Sequence, residues 1–134
     1  MKTYVFDASA LFAFLQKKPG ASKVNELLKE AMRGRAAIFM STVNYGEVYA
    51  GILREHGPER ARGTMSAVHP LPITLVDATP QRALQAAEIK VKYKLYYLDS
   101  FVAALTLERK GTLVTSDSDF RRLGQSVPIV WLRN

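Results

Sequence analysis

The stretch that decides the fold is TYVFDASA, residues 3–10. A short, continuous apolar run at 3–6 is followed at once by Asp7 and then by a helix-like segment that starts at Ala8. Continuous apolar runs of this length are typical of strands buried on both faces, as in a parallel sheet. Because ligands of such sheets bind beyond the carboxyl ends of the strands, Asp7 is predicted to lie at the functional edge.

The same alternation of strand and helix continues along the chain. Strands are predicted at 3–6, 36–41, 73–76, 112–115 and 129–132. Helices are predicted at 8–16, from an opening at 19–22 to about 33, and at 42–55, 58–68, 80–92, 98–110 and 118–123. No repeat, linker or low-complexity tract interrupts this order, so a single domain is expected over 1–134. The predicted fold class is α/β, with an open, mostly parallel central sheet and helices on both faces.

Composition narrows the class of protein. The 134 residues are 48% hydrophobic and 23% charged, as expected for one globular domain with one core. The absence of cysteine excludes a disulfide framework, a cysteine-based zinc site and a thiol nucleophile, and it suits the reducing cytoplasm, which is the expected location.

The N-terminus has a basic start and an apolar stretch, as a signal peptide does. We interpret it instead as the first strand and helix of the fold, because Asp7 interrupts the apolar stretch. No apolar run approaches the ~20 residues of a membrane-spanning helix, so no membrane association is expected.

The aspartates have two possible roles. Taken singly, Asp7, Asp99 and either Asp117 or Asp119 are well placed to cap the helices that follow them, and aspartate is among the best N-cap residues. Capping does not explain why they converge at one edge of a parallel sheet. Carboxylates that converge repel one another unless a cation binds them, so the pattern also indicates a metal site.

Glu47 stands in the predicted helix 42–55, which is apolar on two sides. One side is a bulky stripe of Tyr45, Val48, Tyr49, Ile52 and Leu53, and the other carries the small residues Val43, Gly46, Ala50 and Gly51. Glu47 lies among the small residues, and a helix of this kind is expected to be buried on both sides. A buried carboxylate needs a partner, whereas a half-exposed one is simply solvated. The bulky stripe predicts either a protein interface or ordinary core packing.

Four short motifs, in this order, carry a family resemblance. They are Asp-Ala-Ser at 7–9, Asn-Tyr-Gly-Glu-Val at 44–48, Leu-Asp-Ser-Phe-Val-Ala-Ala at 98–104 and Val-Thr-Ser-Asp-Ser-Asp-Phe at 114–120. Together they resemble the PIN-domain ribonucleases, in particular the VapC-type toxins of bacterial and archaeal toxin–antitoxin pairs. The resemblance extends from Asp7 to the closing strand at Trp131. Each motif is weak alone, and their combination in a chain of this size is specific.

The resemblance implies an endoribonuclease that depends on Mg²⁺ or Mn²⁺. Its metal, one ion or two, would be held by Asp7, Glu47, Asp99 and Asp117. Asp119 would be either a further ligand or the N-terminal residue of its helix. Ser9, Asn44 and Thr115 would lie beside the ligands and orient a carboxylate or a water. The chemistry is consistent, since both cations prefer oxygen ligands and the chain has no cysteine.

The charge distribution suits an RNA substrate. The net charge is +7, and apart from the five site acids only 7 acidic residues remain against 19 basic ones. Such a surface attracts phosphate. The candidates for phosphate contact are the basic residues nearest the motifs, namely Lys17, Lys18, Arg54, Arg121 and Arg122. The alternative role of each is that of an ordinary surface charge. The resemblance further implies a homodimer and an antitoxin partner.

Other functions of similar α/β chains fit less well. A phosphotransfer receiver needs a second acid beside the first, and here Asp7 is flanked by Phe6 and Ala8. A haloacid-dehalogenase-type phosphatase needs Asp-x-Asp after the first strand, and Ser9 occupies the second position. A catalytically inactive PIN-like module that binds RNA or a partner stays open as the alternative function.

Overall fold

The computed structural model describes residues 1–133. Its centre is a five-stranded sheet in the order β3-β2-β1-β4-β5, in which every strand pair is parallel. The strands are β1 (Lys2–Phe6), β2 (Ala36–Ser41), β3 (Thr74–Val76), β4 (Thr112–Thr115) and β5 (Ile129–Trp131). The predicted parallel α/β fold is therefore confirmed.

Six α-helices and one 3₁₀ helix connect the strands. They are α1 (Ala8–Leu15), α2 (Ala21–Met32), α3 (Thr42–His56), α4 (Pro58–Val68), α5 (Pro80–Tyr93), α6 (Tyr97–Arg109) and the 3₁₀ helix Ser118–Leu123. The predicted bounds differ from these by a residue or two at several ends, where helices commonly fray. Within residues 1–133, no helix has both the length and the apolar character needed to cross a membrane.

The core lies on both faces of the sheet because successive strand side chains point to opposite faces. Phe6 and Val114 pack with residues of α1 and α2 on one face. Val5 and Leu113 pack with residues of α6 and the 3₁₀ helix on the other. The prediction of helices on both faces is thus confirmed.

Helix α3 corrects one expectation from its sequence. Of its bulky stripe, Val48 and Ile52 are buried in a third part of the core, the two tyrosines are partly buried against it, and Leu53 is exposed. Core packing of the stripe is therefore confirmed for its buried residues, and a role in an interface stays a prediction. The small-residue side is exposed at Gly46 and Ala50, so the prediction that both sides are buried is wrong there. Only Gly51 supports a close approach, since a Cβ at this position would lie 2.5 Å from the Phe12 ring.

The strand order creates the place where a site can form. Strand β1 lies at the centre of the sheet. The chain first adds β2 and β3 on one side of β1 and then crosses over to add β4 and β5 on the other side. The edge beyond β1 and β4 is therefore a topological switch point, where open parallel sheets bind their ligands. Asp7 follows β1 directly, and Asp117 follows β4 after one intervening residue.

Candidate metal centre

Asp7 is buried at this edge, with only 5% of its surface exposed. Its Oδ1 accepts hydrogen bonds from the Ala10 backbone N–H at 3.0 Å and from the Ser9 hydroxyl at 2.6 Å. Its Oδ2 accepts a hydrogen bond from the Thr115 hydroxyl at 2.5 Å. The carboxylate therefore caps α1 and also joins the end of β1 to the end of β4.

Two backbone N–H groups hold the hydroxyls that bind Asp7. The Ser116 N–H donates to Ser9 Oγ at 2.9 Å, and the Asp117 N–H donates to Thr115 Oγ1 at 2.9 Å. Each hydroxyl has a single proton and gives it to Asp7. Its oxygen then accepts a hydrogen bond from the backbone N–H, so each hydroxyl both donates and accepts. Burial raises the pKa of Asp7 to about 6, against the lowering effect of its three hydrogen bonds.

Asp99, Asp117 and Asp119 form the tightest acidic group of the described chain. One carboxylate oxygen from each lies within 4.8 Å of the others. Burial, followed by the negative charges of Asp117, Glu47, Asp7 and Asp119, raises the pKa of Asp99 to about 7. Without a cation, this group is thus crowded with like charge.

The prediction that the aspartates cap the helices that follow them holds for some of these residues and not for others. Asp117 does cap the 3₁₀ helix, because its Oδ1 accepts a hydrogen bond from the Asp119 N–H at 2.9 Å. Asp99 does not cap α6, since the helix begins at Tyr97 and Tyr96 is its N-cap residue. Asp119 is the second residue of the 3₁₀ helix and not its N-terminal residue, so that alternative is wrong. It lies within the acidic group, and its role as a ligand stays a prediction.

Glu47 approaches the acidic group from α3. Its Oε1 accepts a hydrogen bond of 2.7 Å from the Asn44 side-chain amide, which also donates to the Leu98 carbonyl at 3.5 Å. Asn44 is 1% exposed, and its Oδ1 has no partner within the described residues. Asn44 therefore orients Glu47 and joins α3 to the first turn of α6, beside Asp99.

The five basic candidates for phosphate contact are all exposed. Lys17 and Lys18 follow α1, Arg54 lies near the end of α3, and Arg121 and Arg122 lie in the 3₁₀ helix. Arg122 donates a hydrogen bond to the Lys94 carbonyl. None of the five forms an ion pair with an acid in residues 1–133, so their charges face solvent.

Two groups at this site were missed by reasoning from the sequence. They are the Ser116 N–H, which binds Ser9, and the Leu98 carbonyl, which accepts from Asn44. Both are backbone groups, and every residue except proline carries the same donor and acceptor. No residue type could have indicated them.

The donor set fits a hard divalent cation. The group consists of carboxylates, with hydroxyls beside it, and such oxygen ligands are those that Mg²⁺ and Mn²⁺ prefer. Burial and then the charges of the neighbouring acids raise the pKa of Asp99, so both disfavour its ionised form. A cation bound between these oxygens would remove that penalty.

Solved structures of low sequence identity share this fold. VapBC2 of Rickettsia felis, bound to a DNA fragment from its promoter, matches with a TM-score of 0.76 at 16% identity and covers 96% of this chain and 97% of its own. DNA-bound VapBC of Salmonella typhimurium matches with a TM-score of 0.74 at 17% identity, covering 97% and 98%. VapC20 of Mycobacterium tuberculosis, a sarcin-ricin loop cleaving toxin, matches with a TM-score of 0.66 at 17% identity, covering 90% and 95%.

The family of this chain is identified from its sequence. A search of the curated proteins found no match. The sequence model described as the PIN domain matches residues 4–125, which span β1 through the 3₁₀ helix and include all five acids of the site. This chain belongs to the PIN domain family.

Proposed function

We propose that this protein is a Mg²⁺- or Mn²⁺-dependent endoribonuclease that acts as the toxin of a type II toxin–antitoxin pair. The observation that carries the proposal is the convergence of Asp99, Asp117 and Asp119 at the switch point of a PIN-domain sheet. Asp7 and Glu47 flank this group closely enough for their charges to raise the pKa of Asp99.

In this proposal the metal ligands are Asp7, Glu47, Asp99 and Asp117, with Asp119 as a further ligand. When bound, one or two cations supply Lewis-acid activation of the scissile phosphate and of a water nucleophile. The neighbouring residues set the geometry. Ser9 and Thr115 fix both oxygens of Asp7, and Asn44 fixes one oxygen of Glu47. Such neighbours of a metal ligand typically contribute about 10- to 100-fold in affinity or activity.

The toxin role is supported by the structural relatives. VapBC2 of Rickettsia felis and VapBC of Salmonella typhimurium are toxin–antitoxin complexes, and VapC20 of Mycobacterium tuberculosis is a toxin that cleaves the sarcin-ricin loop. We therefore propose an RNA substrate, an antitoxin partner, a homodimeric state and a cytoplasmic location for this chain. The exposed Lys17, Lys18, Arg54, Arg121 and Arg122 are the proposed phosphate contacts.

Cleavage of labelled RNA tests this function. The wild type should cut RNA with Mg²⁺ or Mn²⁺ and lose all activity in EDTA. Asp99→Asn should be inactive, and Asp77→Asn is the matched control because Asp77 also follows a strand, β3, but lies outside the acidic group.

A folded wild type that binds RNA but cleaves none in either metal would overturn the proposal. That result would favour the alternative function, an inactive module that binds RNA or a partner. Equal losses of activity in Asp77→Asn and Asp99→Asn would show that the acidic group is not the site.

A further inference from the structure

Trp131 is the only tryptophan of the chain, and its side chain is 37% exposed at the end of β5. The Arg133 guanidinium lies 4.9 Å from the centre of its ring, and the Arg121 guanidinium lies 5.9 Å away. Cation–π attraction holds both cations at the ring. We call Arg121, Trp131 and Arg133 the Trp131 cluster.

The parallel register places this cluster beside the metal centre. Phe6 pairs with Val114, so Asp7 and Thr115 stand at the next level, and Thr115 pairs with Trp131. The three residues therefore lie side by side at the ends of neighbouring strands. With about 4.8 Å between strands, the backbone of Trp131 is about 10 Å from that of Asp7.

A surface groove of about 490 Å³ extends from Arg133 of the cluster to Ser9, whose hydroxyl binds Asp7. Ser9 and Ser116 line it, and so do the cations Lys18 and Arg133. Its volume falls in the ~300–1,000 Å³ range of pockets that hold small ligands. Arg133 is thus shared by the groove and the Trp131 cluster.

Three cations of this region are without an acidic partner among the described residues. Within residues 1–133, Lys18, Arg121 and Arg133 form no ion pair. A guanidinium stacked on a ring keeps its N–H edge available for phosphate. The region therefore joins an aromatic surface to free phosphate donors at the side of the acidic centre.

We propose that the Trp131 cluster and this groove bind a nucleotide next to the one that is cleaved, with its phosphate at Arg133 and Lys18 and its base against Trp131. This inference rests on the proposed ribonuclease function and names where its single-stranded substrate lies. Single-stranded RNA is recognised by base stacking on aromatic side chains combined with a basic groove. Arg133 and Trp131 would be substrate-positioning residues, in addition to Lys18 and Arg121.

Trp131 provides its own reporter, because all tryptophan fluorescence of the protein comes from this residue. The inactive Asp99→Asn protein, titrated with a short single-stranded RNA, should show a change in Trp131 emission that follows the anisotropy of a labelled RNA. In the same background, Arg133→Ala and Lys18→Ala should each reduce the slope of log affinity against log salt by about 0.7, the value for one phosphate contact on a single strand.

A substitution of Trp131 itself needs a safeguard, because β5 is an edge strand. Trp131→Phe keeps an aromatic surface and should retain most of the affinity, whereas Trp131→Ala should raise Kd about 10-fold. Arg62→Ala is the matched control for charge. Arg62 is exposed on α4 and belongs neither to the groove nor to the Trp131 cluster. It should leave the salt slope unchanged.

The inference and the proposed function fail in different ways. Absence of cleavage by the wild type would overturn the proposed function. Wild-type cleavage together with an unchanged salt slope in Arg133→Ala, and with constant Trp131 emission on RNA binding, would overturn the inference alone. A selective loss of binding to the purified antitoxin in Arg133→Ala, with RNA affinity intact, would likewise overturn it and reassign the surface to the protein partner.

Discussion

Asp7 and Asp99 lie in one site but are held in opposite ways. Asp7 is buried, and three donors occupy both of its oxygens. Asp99 is half-buried in the first turn of α6, and within residues 1–133 its carboxylate accepts no hydrogen bond. Asp7 therefore stabilises the fold by capping α1, whereas Asp99 makes no comparable contact within the described residues.

Burial is the main cause of the raised pKa of both carboxyl groups, and the two differ in what acts beside it. For Asp7 burial is the main cause, and the hydrogen bonds oppose it, which leaves a pKa of about 6. For Asp99 burial is joined by the charges of four neighbouring acids, which raise its pKa to about 7. The comparison teaches that hydrogen bonding partly compensates the burial of Asp7, while Asp99 has no such compensation and is further disfavoured by its acidic neighbours.

The largest effect should be on catalysis, where the two residues behave alike. Asp7→Asn and Asp99→Asn should each lower the rate of RNA cleavage by more than about 100-fold, because a lost ligand costs at least as much as a lost neighbour of a ligand. Both variants should fold, as measured by circular dichroism. Near-normal cleavage by a folded Asp99→Asn protein would contradict the mechanism.

Metal binding should separate the wild type from Asp99→Ala. Mn²⁺ at 100 times its Kd should stabilise the wild type by about 2.7 kcal/mol, because it binds only the native state. Asp99→Ala should gain much less. Thermal unfolding in EDTA and in excess Mn²⁺ measures the difference, and an equal shift in both proteins would remove Asp99 from the metal site.

The free energy of unfolding should fall when Asp7 is removed but not when Asp99 is removed. In EDTA near pH ~5, below the folded pKa of Asp7, Asp7→Ala should lose about 2 kcal/mol, because it removes an N-cap and leaves the buried Thr115 hydroxyl and the partly buried Ser9 hydroxyl without their acceptor. Asp99→Ala should be neutral or stabilising, because at this pH the folded state binds a proton at Asp99 that the unfolded state largely lacks, and the substitution removes this cost and no cap. Denaturant unfolding provides the measurement. A comparable loss in Asp99→Ala would mean that Asp99 has a structural role.

The remaining difference concerns pH dependence. The folded pKa of Asp99 is about 7, above its ordinary 3.8, so between these values the native state binds more protons than the unfolded state. Stability without metal should therefore fall as the pH rises from about 4 to about 7. Asp99→Asn should show a shallower fall over this window. Parallel curves for the two proteins would show that Asp99 is not perturbed.

Much of the site was predictable because its residues follow a local rule. Asp7 and Asp117 come after apolar runs, and parallel strands bring their carboxyl ends to one edge. The sequence did not decide whether Asp119 is a further ligand or the N-terminal residue of its helix. Its place within the tightest acidic group depends on how the 3₁₀ helix turns after β4. The exposure of Gly46 and Ala50 was mispredicted, because a stripe of small residues does not say whether a neighbour covers it.

By itself the sequence determined the elements, their parallel arrangement and the acids at the strand ends, since apolar periodicity and capping act over a few residues. Only the tertiary structure decided which groups meet. Asp7 and Thr115 are separated by 108 positions in the chain, yet one hydrogen bond joins them. Register likewise brings Trp131 to the level of Thr115 and Asp7. Such pairings depend on how strands align and helices pack across the whole core, and no short stretch of residues contains that information.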